Sequence, residues 1–172
     1  MTHTLALQLG AATAMVCLTV LMHLAGLSAL IAVMNRHARR FATPRARHRQ
    51  AFALVTVAFG LFALHTAEIW AYALLYDWLG ATAGFEDALY FSTATYSTVG
   101  YGDLTLPRDW RILGAIEGAN GVILLGWSTA FFVSVVGRIR ALEHEWADVL
   151  EAIECPQGRQ EPSARSTRSA RP

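Results

Sequence analysis

Three apolar segments, each long enough to cross a lipid bilayer as a helix, constrain the fold of this 172-residue chain most strongly. They occupy residues 1–34, 51–76 and 112–138, and each exceeds the roughly 20 residues that a helix needs to span the hydrocarbon core. Only 16% of the residues are charged, against about 25% in soluble domains. The sequence therefore predicts an all-α membrane protein with three transmembrane helices.

The N-terminal segment differs from a cleaved signal sequence, because it lacks a basic region before an apolar run that is itself far too long. We interpret it as a retained membrane helix. Residues 35–50 form a basic loop with six arginines and no acidic residue, which the positive-inside rule places in the cytoplasm. In a multi-pass protein of the cell's inner (plasma) membrane, the N-terminus is then expected outside and the C-terminus in the cytoplasm.

A fourth apolar stretch, residues 85–97, is too short to span a bilayer and is predicted to form a re-entrant helix. Glu86 and Asp87 lie at its start, where acidic side chains complement the positive end of the helix dipole. The negative end of that dipole would then point into the protein, which favours a cation there.

Residues 98–103, Thr-Val-Gly-Tyr-Gly-Asp, follow this helix directly and are called the filter run below. Its two glycines allow backbone conformations that other residues avoid, so successive carbonyl groups can point to one side. Such carbonyls, with the Thr98 hydroxyl, would line a narrow tube suited to a dehydrated potassium ion. About eight oxygens surround that ion and one chain supplies two in each layer, which predicts a homotetramer. The predicted ion-binding residues are Thr98, Val99, Gly100, Tyr101 and Gly102.

The stretch from Thr95 to Asp103, with the short helix before it, resembles the selectivity filter of potassium channels. Residues 51–138 are similar to the pore module of bacterial channels that have two membrane helices per pore, here preceded by one extra N-terminal helix. The parts of this module are an outer helix at 51–76, a pore helix at 85–97, the filter at 98–103 and an inner helix at 112–138.

The resemblance implies a potassium-selective ion channel, assembled as a fourfold tetramer in the lipid bilayer, and not an enzyme. Potassium is the permeant ion and no cofactor is implied. The net charge of +1 gives no indication of a nucleic-acid partner. Two alternatives remain open, a weakly selective cation channel and a membrane-embedded accessory subunit that does not conduct alone.

Side chains near the filter run are predicted to support it. Tyr90 and Phe91, together with Tyr96 and Tyr101, form either an aromatic collar that holds the filter open or ordinary core packing. Asp103 would concentrate cations at the outer mouth.

Ionisable residues inside the predicted spans usually face protein or water, because lipid does not solvate them. Ala94 stands where some members of the family carry a glutamate behind the filter. Glu68 or Glu117 could replace that glutamate, and the alternative is a structural polar network. A metal site at His65, Glu68 and Glu117 is disfavoured, because the di-iron bundle pattern needs two Glu-x-x-His pairs and this chain has one reversed pair.

Gly121 and Gly126 lie partway along the inner helix, where the resemblance implies a gating hinge, although glycine also permits close helix packing. Residues 139–154 are predicted to form a cytoplasmic amphipathic helix with apolar residues at steps of three and four. This pattern favours a bundle of four such helices below the pore over a helix on the membrane surface. Residues 155–172 have almost no apolar side chains and are predicted to be disordered.

Overall fold

A computed structural model describes the backbone of residues 2–38 and 47–154, and the side chains of residues 5–36 and 51–138. The centre of the predicted basic loop, the side chains of residues 139–154 and the predicted disordered tail lie outside the described residues. The chain divides into two units, Met1–Val135 and Val136–Pro172. In the second unit, the described backbone is helical.

The described residues form four α-helices and contain no strand. Three of these helices, the first, second and fourth, include a segment long and apolar enough to cross a membrane. The third helix is short and lies between the second and fourth helices in the chain. The predicted all-α membrane fold is therefore confirmed. The helices are α1 (Thr2–Ala38), α2 (Arg47–Trp78), α3 (Phe85–Tyr96) and α4 (Arg111–Glu154).

The helices extend beyond the apolar segments that predicted them. α1 ends at Ala38 and α2 begins at Arg47, so both ends of the predicted basic loop are helical. α4 continues to Glu154 as one helix and includes both the predicted inner helix at 112–138 and the predicted amphipathic helix at 139–154. Arginine, glutamine and glutamate are good helix formers, so backbone hydrogen bonding continues past the point where hydropathy falls.

α1 packs against α2 through one face. Its buried residues recur at steps of three or four, which places them on one side of a helix. Three of them are polar, in a helix that is otherwise almost wholly apolar. The buried residues are Gln8, Ala12, Met15, Thr19, His23 and Leu27.

Two of these polar side chains connect α1 to α4. Gln8 Oε1 accepts a hydrogen bond of 3.1 Å from the Ile112 backbone amide, which belongs to the first turn of α4 and has no partner within that helix. Asn120 Nδ2 donates to Thr19 Oγ1 at 2.8 Å and to the Tyr72 hydroxyl at 3.3 Å. α1 and α4 therefore begin at the same end of the bundle.

The close approach of α1 and α2 depends on two reciprocal glycine–leucine contacts. A Cβ atom on Gly26 would lie 2.6 Å from the Leu64 side chain, and one on Gly60 would overlap the Leu30 side chain. Small residues at such crossings let helix backbones come close, which is a main source of packing energy between membrane helices.

The position of α3 is fixed by a core of aromatic and small residues shared with α1, α2 and the start of α4. Tyr72 and Tyr76 of α2 are fully buried there, and Phe91 of α3 meets Tyr76 edge to face at a centroid distance of 5.4 Å. The other buried members of this core are Ala12, Met15, Ala73, Ala81, Ala88, Leu106 and Leu113.

We expect Gly26→Val to destabilise the contact between α1 and α2, because the added side chain must displace Leu64. Overpacking of this kind costs about 1–3 kcal/mol, which lowers the melting temperature by roughly 2–10 °C. Thermal unfolding of the detergent-purified protein measures this. Gly10→Val is the matched control on α1, since nothing lies within 4 Å of a Cβ there. Equal losses from both variants would contradict the assignment.

Candidate pore and its supporting polar network

The filter run is tied to the end of α3 by backbone hydrogen bonds. The Thr98 amide donates to the Thr95 carbonyl, and the Gly100 amide donates to the Ala94 carbonyl, each at 3.0 Å. These carbonyl groups belong to the last turn of α3, where they have no amide partner within the helix itself. Both acidic residues predicted at the start of α3 lie in its first turn. The helix therefore fixes where the filter run begins.

The backbone of the filter run alternates between two conformations. The angle φ is positive at every second residue, with 61° at Thr98, 52° at Gly100 and 79° at Gly102. Glycine adopts this left-handed region readily, whereas threonine does so rarely and at an energetic cost. Such alternation is the pattern expected when successive carbonyl groups point to one side. The strained threonine suggests a functional constraint at the first position of the run.

Every residue from Ser97 to Asp103 is exposed in the single chain. Val99 is 53% exposed and Tyr101 is 72% exposed. Irregular backbone at membrane depth is tolerated only where protein or a water-filled cavity surrounds it. The exposed filter run is therefore expected to face protein or a water-filled cavity and not lipid.

Tyr90 holds the far end of the filter run. Its hydroxyl donates to Asp103 Oδ2 at 2.8 Å, and the Leu104 amide donates to Asp103 Oδ1 at 3.0 Å. The hydrogen bond to Asp103, helped by partial desolvation, raises the pKa of Tyr90. α3 thus contacts the filter run at both its beginning and its end.

The four aromatic residues proposed as a collar take separate positions within one chain. Tyr90 bonds to Asp103, Phe91 packs against Tyr76, Tyr96 is buried and Tyr101 is largely exposed. A collar made between subunits stays a prediction.

Glu117 is fully buried and bonds directly to α3. The Ser92 hydroxyl, from α3, donates to Glu117 Oε1 at 2.5 Å, and the Tyr76 hydroxyl donates to Oε2 at 2.6 Å. Ser92 Oγ also lies 3.0 Å from the Ile69 carbonyl oxygen of α2, a second acceptor for the same proton. This carboxyl group therefore links α3 to α2 and α4.

Glu68 is also fully buried and joins α1, α2 and α3. His23 Nδ1 of α1 lies 2.9 Å from Glu68 Oε1, and His65 Nδ1 lies 3.1 Å from Oε2. The Tyr96 hydroxyl, at the end of α3, donates to Oε2 as well. Tyr96 immediately precedes Ser97 and the filter run, so this second carboxyl group supports α3 at its C-terminal end.

Sequence reasoning identified His65, Glu68 and Glu117 but missed His23 and Ser128. A usable signal existed, because Gln8, Thr19 and His23 stand eleven and four residues apart, which places all three on one face of a helix. A polar face on an apolar membrane helix marks the side that meets protein. What the sequence did not contain was the partner of that face.

The imidazole nitrogens and the carboxylate of His23, His65 and Glu68 lie within 4.8 Å of one another. Both carboxylate oxygens are already paired with imidazole nitrogens, at 2.9 and 3.1 Å. Those are hydrogen-bond distances. The arrangement is therefore a hydrogen-bonded network.

Gly121 lies where α4 crosses the end of α3. A Cβ atom there would overlap the backbone carbonyl of Tyr96, whereas nothing lies within 4 Å of a Cβ on Gly126. Close packing is thus sufficient to explain glycine at 121. A hinge at either position stays a prediction.

Gly121→Ala is expected to displace the end of α3, because the new methyl group meets backbone that cannot rotate away. The loss of stability should be about 1–3 kcal/mol, measured by thermal unfolding in detergent. Gly126→Ala removes the same backbone freedom from the same helix without a clash. If Gly121→Ala were no more destabilising than Gly126→Ala, the packing explanation would be wrong.

Asp103→Asn should lower the pH at which Tyr90 ionises, because the charged acceptor that stabilises its hydroxyl is removed. The raised pKa means that this bond contributes its full stability below the ordinary tyrosine pKa of about 10, and that the contribution is lost as pH rises through the folded-state pKa. Tyrosinate absorbance, as the difference between each protein and its Tyr90→Phe derivative, reports this titration. An unchanged Tyr90 titration in Asp103→Asn would contradict the assignment.

Residues 64–138 match the protein-family model described as Ion channel, which covers less than half of the chain. This segment includes the C-terminal half of α2, all of α3, the filter run and the apolar part of α4. Searches of curated proteins and of solved structures found no match. The match supports an ion channel domain in this part of a multi-span membrane protein, and it points to a non-enzymatic transport role.

Proposed function

We propose that four copies of this chain form a potassium-selective channel, in which K⁺ moves passively through the filter run. The observation that carries the proposal is the alternating backbone of residues 98–103, with positive φ at Thr98, Gly100 and Gly102. In this arrangement, the carbonyl groups of residues 98–101 replace the hydration shell of the ion.

The exposure of the filter run supports a fourfold assembly. Its open carbonyl groups cannot face lipid, and four runs around one axis would supply about eight oxygens to each ion. One face of α4 is also exposed and apolar, and in the tetramer it would meet neighbouring subunits or the inner cavity. Its large residues are Val122, Ile123, Trp127 and Val133.

In this proposal, K⁺ is conducted by moving from one carbonyl layer to the next, and no layer binds it tightly. Each carbonyl layer binds K⁺ well enough to remove its water, and repulsion between ions in adjacent layers drives the next step. Asp103, oriented by Tyr90, would raise the cation concentration at the outer mouth. The C-terminal end of α3 would contribute a favourable potential below the filter.

Glu68 and Glu117 would act as filter supports in place of the glutamate missing at Ala94. Each bonds to a hydroxyl of α3, Glu117 at Ser92 and Glu68 at Tyr96. In the proposed topology the filter run faces outside, the N-terminus lies outside and the C-terminus lies in the cytoplasm of a cell bounded by this plasma membrane.

Potassium flux from liposomes tests the proposal. The purified protein, reconstituted under a K⁺ gradient, should release K⁺ and carry little Na⁺ under the matching gradient. Gly102→Ala should abolish flux, because φ at 79° strains any residue with a Cβ. Gly126→Ala, with open space at its Cβ, should conduct.

Three results are distinguishable. Equal K⁺ and Na⁺ flux would indicate a weakly selective cation channel. Absence of flux from a well-folded tetramer would indicate an accessory subunit. A monomer in native mass spectrometry and in detergent cross-linking would contradict the fourfold assembly itself.

A further inference from the structure

Four side chains close a ring of hydrogen-bond contacts where α1, α2 and α4 meet. Around this ring, His23 Nδ1 lies 2.9 Å from Glu68 Oε1, and Glu68 Oε2 lies 3.1 Å from His65 Nδ1. His65 Nε2 then lies 2.9 Å from Ser128 Oγ, which lies 3.4 Å from His23 Nε2. His23 and Glu68 are fully buried, and Ser128 is 4% exposed.

The ring has more contacts than its members have protons. Each of its four contacts requires one proton between the two heavy atoms. An ionised glutamate supplies none, each neutral imidazole supplies one, and the serine hydroxyl supplies one. Three protons therefore serve four contacts. The contact left without a proton is the longest one, 3.4 Å between Ser128 Oγ and His23 Nε2, which exceeds the usual hydrogen-bond range. In that state, the buried ring also carries a net charge of about −1, which a low-dielectric interior penalises.

One additional proton completes the fourth contact and removes this charge. With it, the Ser128 hydroxyl donates to one imidazole Nε2, and the other imidazole donates from its Nε2 to Ser128 Oγ. Both Glu68 oxygens then have a partner in the ring, and the ring is neutral. We propose that His23, His65, Glu68 and Ser128 form a binding site for a single proton, and that the bound proton stabilises the packing of α1 against α2 and α4.

A separate contact favours positive charge on His23. The Trp127 ring stacks on the His23 ring at a centroid distance of 5.7 Å and an angle of 29°. The negative face of an indole attracts a cation at this distance. Glu68 Oε1 lies 2.9 Å from Nδ1 of the same ring. An imidazolium at His23 therefore has an indole against its face and a carboxylate at its edge.

The remaining ionisable groups around the ring do not supply the missing proton. Tyr96 of α3 already donates its own proton to Glu68 Oε2. Tyr72 of α2 lies close enough to interact electrostatically with both Glu68 and Glu117, and Tyr96 does the same. Any negative charge on Glu117 of α4 adds to the cost of a negatively charged ring. These surroundings favour uptake of the proton.

This inference does not rest on the proposed channel function, because it follows from hydrogen bonds within one chain. It does reach the filter run through Tyr96, which bonds to Glu68 and ends α3. Loss of the proton would therefore weaken the packing of α1 against the bundle. It would also leave a negative charge on the network that contains Glu68, the acceptor of the Tyr96 hydroxyl at the end of α3.

Thermal unfolding of the full-length protein in detergent, from pH 5 to pH 9, tests the site. Above the ordinary histidine pKa of about 6.5, the folded protein should hold a proton that the unfolded chain has already released, so stability falls as pH rises in that range. Below it, both histidines are protonated in the unfolded chain and only one in the ring, so stability rises with pH there. Loss of one proton lowers the melting temperature by on the order of 3 °C for each pH unit within the transition. Ser128→Ala opens the ring and should remove most of this dependence. Thr129→Ala, which deletes the neighbouring exposed hydroxyl bonded to the Leu125 carbonyl, should retain it.

Nitrogen-15 NMR of the histidine-labelled wild-type protein gives a direct readout, even if Ser128→Ala fails to fold. His23→Gln and His65→Gln assign the two signals among the six histidines. Lowering the pH should protonate one Nε2 of the pair while the other stays unprotonated. Two Nε2 atoms that remain unprotonated throughout, or that are protonated together, would overturn the proposal. So would a wild-type pH profile identical to that of Ser128→Ala.

Discussion

A carboxyl group buried between membrane helices must find its hydrogen-bond donors inside the protein, and the position of α3 depends on two such groups. Glu117 takes hydroxyl donors from Ser92 and Tyr76, and Glu68 takes one from Tyr96. Lipid offers no alternative partner, so displacement of α3 would take the Ser92 donor from Glu117 and the Tyr96 donor from Glu68 without replacement. The short helix is thereby fixed at its middle and at its end, and the filter run begins from a fixed point.

The elements of the fold could be predicted because they depend on local composition. Hydropathy and length indicate the three spans, and a short apolar stretch before Thr98 indicates the re-entrant helix. Hydropathy overlooked the helical ends, since it measures the membrane boundary and not the end of backbone hydrogen bonding. It therefore places the end of the third span at residue 138, whereas the helix α4 continues to Glu154.

Much of the candidate site depended on partners that are distant in sequence. Glu68 and Glu117 were identifiable as costly residues in a span, but their donors lie on three other helices. His23 and Ser128 are separated by 105 residues, and no local pattern relates them. Gly121 was assigned two possible roles because a glycine has no side chain from which to infer a neighbour. Its close approach to Tyr96 is visible only in three dimensions.

The buried face of α1 changes what the first helix contributes. His23 covers Glu68, and the glycine–leucine contacts with α2 bring the two backbones close along this surface. Without α1, Glu68 Oε1 would lose its His23 partner, while His65 and Tyr96 would still bond to Oε2. The first helix therefore supplies one of the polar partners that allow Glu68 to lie within the second membrane helix. A shorter protein with only two spans would need another donor for Glu68 Oε1, or an apolar residue in place of Glu68.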